Sequence, residues 1–283
     1  MVFRMTSAPV APLAPHPVAD AYARLSEVFP TLRVTTWDAA PPAGDGWVCA
    51  AGLAAGGETL DAFLSWDDAR IVRDYGQRAR PDVVAAFALH RYAWPACLLI
   101  TIPWFLHRRV PRLPVQDVCF QRELGRMAVR ISSFGCLPDD PAAQLPGARV
   151  VPDEETLRAE VRAAVADHLQ PVLEGFRTRM RRGPRALWGM ASDEIVEGLW
   201  YLGHLLGEER RAVAELERLL PGATAPYVGG AGFRTLTGPD GAPLPTRDRA
   251  SCCMFYTLRP EDTCVTCPRT CDADRIRRLT ASA

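Results

Sequence analysis

Five cysteines fall within twenty residues near the C-terminal end of the chain, in the run Ser251–Cys271, SCCMFYTLRPEDTCVTCPRTC. A segment so rich in thiols has too few apolar side chains to build a core, so its fold must be organised by what the sulfurs bind. Cys252 and Cys253 are adjacent, ten residues separate them from Cys264, two more lead to Cys267, and Pro268 precedes Cys271. The turn within a C-x2-C pair lets both sulfurs face one metal, with backbone N–H groups free to hydrogen-bond the sulfur charge. Cys264 and Cys267 have that spacing. Side chains of adjacent residues diverge in an extended backbone, so Cys252 and Cys253 can face one centre only where the chain bends sharply, a strain tolerated for function. Spacing alone admits an iron–sulfur cluster, a zinc site, or a redox-active Cys252–Cys253 pair.

The other four of the nine cysteines, Cys49, Cys97, Cys119 and Cys136, are scattered and read as small buried hydrophobes. The N-terminal stretch is broken by Pro9, Pro12, Pro15 and Pro17 and holds no continuous apolar segment of the kind an export signal needs. The expectation is a cytoplasmic protein, in whose reducing surroundings clustered thiols serve as ligands or redox groups rather than disulfides. The run Trp94–Leu106 is thirteen residues long and contains Pro95 and Pro103. Crossing a bilayer takes about twenty apolar residues, so this run reads as a buried helix or helix pair and no integral membrane segment is expected.

Several chemistries are excluded. All 33 basic residues are Arg, with no Lys anywhere, which removes a pyridoxal-phosphate Schiff base, a Walker A loop and a protein-kinase site. The 33 acidic residues balance the arginines, so nothing in the bulk charge favours nucleic acid. No G-x-G-x-x-G is present: Gly44-Asp45-Gly46 lacks the third glycine and Gly52–Gly57 has the wrong spacing. Electrons from NAD(P)H would therefore need a separate carrier.

Periodicity predicts helices over Ala19–Phe29, Glu58–Tyr75 and Pro81–Tyr92, a strand over Thr31–Trp37, and an antiparallel hairpin from Val115–Arg122 and Arg126–Ser132. A loop is predicted from Gly135 to Pro152. From Asp153 the pattern is helical, with Leu157, Val161, Val165, His168, Leu169 and Val172 on one stripe, and with boundaries or kinks at Pro171, Gly183-Pro184, Gly207 and Pro221-Gly222. Gly238-Pro239-Asp240-Gly241 predicts the tip of a second hairpin, between Gly232–Thr237 and Leu244–Arg249. A final helix is predicted over Asp272–Thr280. The fold class is α+β, mainly helical, with small antiparallel β hairpins and a short C-terminal Cys-rich module.

The order C-C-x10-C-x2-C, introduced by Arg249-x-Ser251 and carrying Tyr256 and Pro268, resembles the C-terminal signature of the FhuF-type ferric siderophore reductases. Similar texture extends upstream through Arg181–Gly189 and His90–Trp94. The resemblance implies a 2Fe-2S cluster held by Cys252, Cys253, Cys264 and Cys267, with Cys271 a spectator at the start of the last helix. It implies an oxidoreductase that passes one electron to Fe(III) in a siderophore, hydroxamate type favoured, and releases Fe(II), with a ferredoxin and its reductase as donor. The other readings are a non-enzymatic iron–sulfur sensor or carrier and a structural zinc protein. The implied organisation is a flexible Pro-rich leader (1–18), an N-terminal α+β region (19–150), a helical region with a hairpin (151–248) and a 2Fe-2S module (249–283).

Five arginines fall within Arg177–Arg185, and Arg181, Arg182 and Arg185 are candidates to dock an anionic chelate or an acidic donor, or else cap a helix end. Trp188 and Trp200 nearby read as core. His168 and His204 read as core or boundary histidines, and His16, His90 and His107 show no ligand spacing.

Overall fold

The structure, a computed structural model, describes residues 16–282. Most of the Pro-rich leader, residues 1–15, thus lies outside the described residues; of the remainder, Val18 is buried and the Pro17 carbonyl accepts a hydrogen bond from Arg109 Nη1 at 2.7 Å.

In chain order the elements are α1 (Ala19–Val28), β1 (Arg33–Thr36), β2 (Trp47–Cys49), α2 (Ala50–Ala55), α3 (Gly57–Tyr75), α4 (Pro81–His107), β3 (Val110–Pro111), β4 (Val118–Gln121), β5 (Arg126–Val129), β6 (Phe134–Cys136), β7 (Ala148–Val150), α5 (Glu154–Arg177), α6 (Pro184–Leu205), α7 (Glu209–Leu219), β8 (Phe233–Thr237), β9 (Pro243–Arg247) and α8 (Asp272–Ser282). The mainly helical α+β expectation holds, and one continuous core runs from Val18 to Ala231.

The centre of that core is α4, which packs against α1, α3, α5 and α6. Pro81 at its first turn costs no hydrogen bond. Where the sequence suggests a helix to Tyr92 and a separate apolar run, the structure has one helix of 27 residues through Pro95 and Pro103. Pro103 cannot donate to the Leu99 carbonyl one turn back, and the Tyr22 hydroxyl of α1 does so instead, at 2.8 Å. Length and composition alone would let α4 cross a membrane, but 78% of its apolar window is buried inside the protein, as in a core helix.

Helix α5 begins at Asp153, whose carboxylate accepts the Thr156 N–H at 2.7 Å. Its buried stripe is the predicted one. The kink suggested at Pro171 does not divide it: the carbonyl that Pro171 frees belongs to exposed Asp167, and buried His168, Leu169, Val172 and Leu173 hold both sides.

The sheets differ from simple hairpins. β4 and β5 pair antiparallel as expected, with Gly125 at φ 59° in their turn, where a Cβ would meet the Thr31 carbonyl oxygen at 1.9 Å. β1 adds to β5 in parallel and β2 to β4 antiparallel, giving the order β1-β5-β4-β2. The predicted loop after Gly135 contains β7, parallel to β6, in a second sheet ordered β3-β6-β7. β8 and β9 form the predicted hairpin, closed at its tip by Gly241 N–H to the Gly238 carbonyl at 3.0 Å.

One cysteine assignment is corrected. Cys97 and Cys136 are buried free thiols, but Cys49 and Cys119 are not small core hydrophobes: they form a disulfide, because the β2–β4 register sets them directly opposite, with Cα atoms 3.9 Å apart.

Candidate metal centre

Helix α6 carries three acids, Asp193, Glu194 and Glu197, in a stretch whose neighbours are buried and apolar. A buried carboxylate must find donors. Asp193, fully buried, accepts Arg247 Nη2 at 2.6 Å, the Ala250 N–H at 3.0 Å and the Ser251 N–H at 2.8 Å. Glu197 accepts Arg247 Nη1 at 2.9 Å and Thr266 Oγ1 at 3.1 Å. One helix therefore grips the tail at two points, just before Cys252 and between Cys264 and Cys267. Gly189 makes room for this approach, since a Cβ there would lie 3.2 Å from the Ala250 carbonyl oxygen. From below, Arg275 of α8 donates to Asp248 at 2.6 Å and to the Cys267 carbonyl at 3.0 Å.

The sharp bend required by adjacent cysteines is present. Met254, directly after them, has φ 69°, in the left-handed region. Cys264 and Cys267 are joined by a turn in which the Cys267 N–H donates to the Cys264 carbonyl at 3.1 Å. The result is that Cys252, Cys253, Cys264 and Cys267 line one cavity of about 290 Å³ with His90, Arg91 and Arg249. Its outer wall is aromatic: Tyr75, Phe87 and Phe255 pack with ring centroids 5.8 to 6.3 Å apart, and Arg269 lies 4.0 Å over Tyr256. Cys264 is exposed and Cys267 buried.

The donor set has the chemistry of a thiolate-held cluster. Three sulfurs accept from the backbone two residues on: Cys252 Sγ from the Met254 N–H at 3.4 Å, Cys267 Sγ from the Arg269 N–H at 3.5 Å, and Cys253 from the Phe255 N–H; Cys264 Sγ lies 3.7 Å from Thr266 Oγ1, whose proton goes to Glu197. Such hydrogen bonds stabilise sulfur-borne negative charge and tune iron–sulfur centres. Burial pushes the Cys253 thiol up, opposed by the Phe255 N–H and by Arg249. Among the described residues no three His, Cys, Asp or Glu side chains converge as on a single metal ion. The four cysteines fit a 2Fe-2S group, and would be its ligands. Cys271 does not line the cavity; it is exposed, beside Asp274 at the start of α8.

The other candidates lie elsewhere. Arg181, Arg182 and Arg185 are outside the cavity, on the far side of the Ala250–Ser251 backbone. Arg182 Nη1 donates to Ser251 Oγ at 2.9 Å, Arg181 is exposed, and Arg185 lines a shallow groove of about 620 Å³ with Gly229, Gly230 and Ala250. Trp188 and Trp200 pack edge-on against Tyr227 and Phe233. His168 is a core residue, hydrogen-bonded to the Leu113 carbonyl at 2.6 Å and the Tyr92 hydroxyl at 2.8 Å, while His204 sits on the surface with Glu209.

The sequence reading did not assign Asp193, Glu194 or Glu197, nor His90 as a cavity residue. His90 Nδ1 hydrogen-bonds Glu194 at 2.7 Å; burial lowers its basicity, but the Glu194 charge outweighs this and raises it overall. The available signal was Asp193-Glu194-x-x-Glu197 inside an apolar helix, a pattern that demands buried cations.

Residues 249–269 match the family model of the FhuF 2Fe-2S C-terminal domain, in support of the FhuF-type family reading. The match spans all four cavity cysteines and gives the module its cofactor, a 2Fe-2S cluster. The C-terminal segment thus carries a 2Fe-2S domain of the FhuF type. No curated protein matches the chain.

Proposed function

We propose that this protein is a cytoplasmic ferric-siderophore reductase. The observation that supports it most is a single cavity lined by Cys252, Cys253, Cys264 and Cys267, with Cys264 reaching the surface. When bound, the 2Fe-2S cluster supplies one-electron chemistry. One electron from a carrier of the ferredoxin class, itself fed by a reductase, converts siderophore-held Fe(III) to Fe(II). The softer, less charged Fe(II) is held weakly by hard hydroxamate oxygens, so iron leaves and the chelator is freed.

The chain's own residues contribute positioning. Asp193 and Glu197 hold the two cysteine segments together, and Met254 supplies the bend. Phe255 and Tyr256, with Tyr75 and Phe87, shield the cavity from water while leaving the Cys264 edge accessible. Arg181, Arg182 and Arg185, of which Arg182 is bonded to Ser251 of the module, are the proposed docking face for an acidic donor.

The test is anaerobic purification with iron and sulfide analysis, followed by mixing the dithionite-reduced protein with a ferric hydroxamate siderophore. Reoxidation of the visible spectrum with appearance of chelatable Fe(II) is expected. A loaded, reducible protein that no ferric siderophore reoxidises would overturn the reductase reading in favour of a sensor or carrier, and a colourless zinc protein would overturn both.

A further inference from the structure

Arg247, 1% exposed, donates to the Ala231 carbonyl at 3.1 Å as well as to Glu197 and Asp193. Arg249, two residues on, is different. Its side chain is 9% exposed, and its buried Nε stands 3.5 Å from Asp193 Oδ2 as an ion pair without a hydrogen bond. Asp193 is already engaged by Arg247 and by two backbone N–H groups. Arg249 nevertheless lines the cavity shared by the four cysteines.

A buried cation with unspent donors is costly unless something accepts them. Burial opposes its charge, but Asp193, Glu194, Cys253 and Glu197 outweigh that and keep the guanidinium firmly protonated. Of the carboxylates around it, Asp193 and Glu197 are already bonded to other partners, while Glu194 accepts from His90 with one oxygen and keeps its second, Oε2, buried without a partner. Glu194 does not line the cavity, whereas the four cysteine sulfurs do, and Arg249 is close enough to Cys253 to favour its thiolate. Hydrogen bonds to sulfur are a principal determinant of iron–sulfur potentials, since they stabilise the reduced form with its additional negative charge.

We propose that Arg249 is a positioning residue that sets the reduction potential of the centre: anchored by Asp193, its guanidinium donates to the sulfurs of the cysteine-held 2Fe-2S group and makes that group easier to reduce. The inference rests on the cluster assignment and is independent of whether the final acceptor is a siderophore.

The test is a potentiometric titration of anaerobically loaded protein, followed by electron paramagnetic resonance, with iron and sulfide content measured in parallel. Arg249→Gln at unchanged cluster content should lower the equilibrium constant for reduction about tenfold, equivalent to a shift of about 59 mV to lower potential for a one-electron couple. An unchanged potential in a fully loaded R249Q overturns the proposal. If R249Q does not load, Arg249→Lys decides: it keeps the charge without the planar fork. A potential lowered by a smaller amount, with an altered resonance line shape, supports donation to sulfur, and a potential and line shape identical to the parent's overturn it. Because no siderophore enters this measurement, its failure is distinct from failure of the reductase reading.

Discussion

The Asp193 carboxylate on α6 accepts the backbone N–H of Ser251 at 2.8 Å, one residue before the adjacent cysteine pair. This bond and its companions make the position of Cys252 and Cys253 a property of the helical core rather than of the short tail. The tail has little apolar surface of its own to bury, so a charged clamp replaces a hydrophobic one.

Removing that clamp should destabilise the whole protein. Asp193→Ala leaves Arg247, a buried guanidinium, without one of its two carboxylate partners and leaves two N–H groups unpaired. The expected loss is about 3 to 5 kcal/mol, the range for breaking a buried ion pair by removing one partner. Urea denaturation of loaded protein measures it. Asp193→Asn, which retains an acceptor for one N–H, should lose less. A loss under about 1 kcal/mol for D193A would show that the tail is held by other contacts.

How much of this was legible in the sequence depends on whether the signal was local. The stripe on α5, the hairpin tip at Gly238–Gly241 and the cysteine spacing are short-range patterns, and each corresponds to what the chain does. The Cys49–Cys119 disulfide joins residues 70 apart in sequence, and depends on how β2 finds β4. The continuity of α4 through Pro103 depends on a hydroxyl from α1. Asp193 and Glu197 were visible as charges in an apolar helix, but their partners, Arg247 and Thr266, follow only from tertiary packing. Arg249 was visible as part of a motif, while its unpartnered Nε becomes apparent only once its burial is known.

His168 makes stability depend on pH. Burial holds its imidazole down to about 4, against a usual value of 6.5, with the Leu113 carbonyl opposing in part. Above pH 6.5 the ring is neutral in folded and unfolded chains alike. As pH falls below 6.5 the unfolded chain takes up a proton that the folded one refuses until about pH 4, so stability declines, by about 2 kcal/mol at pH 5. His168→Gln, unable to titrate, should be less stable at pH 7.5 but lose less between pH 7.5 and 5. Equal losses in both proteins would show that other groups dominate acid unfolding.

The two exposed cysteines of the tail should behave oppositely. Cys264 lines the cavity and Cys271 does not. Replacing Cys264 with Ser should abolish the visible spectrum and the bound iron, because a hydroxyl at the usual pH is a poor substitute for a thiolate. Replacing Cys271 with Ser should leave spectrum and iron content unchanged. Loss of iron in C271S with retention in C264S would reassign the ligands.

The arginines at the α5–α6 turn should affect electron delivery and not the cavity. Arg179 is spent on Asp61 at 2.6 Å, whereas among the described residues no carboxylate pairs with Arg181 or Arg185. Reversing both charges, Arg181→Glu with Arg185→Glu, leaves Arg182 on Ser251 undisturbed and turns an attractive face into a repulsive one. Long-range charge acts mainly on association, and salt screens it over about 8 Å at physiological ionic strength. The second-order rate of reduction by an acidic ferredoxin should therefore fall about tenfold at low salt, and the difference should shrink as salt is added. Chemical reduction by dithionite followed by reoxidation gives the internal control, because it bypasses protein docking. A loss that is the same at all salt concentrations would point to damaged structure, and no loss at low salt would place the donor on another face.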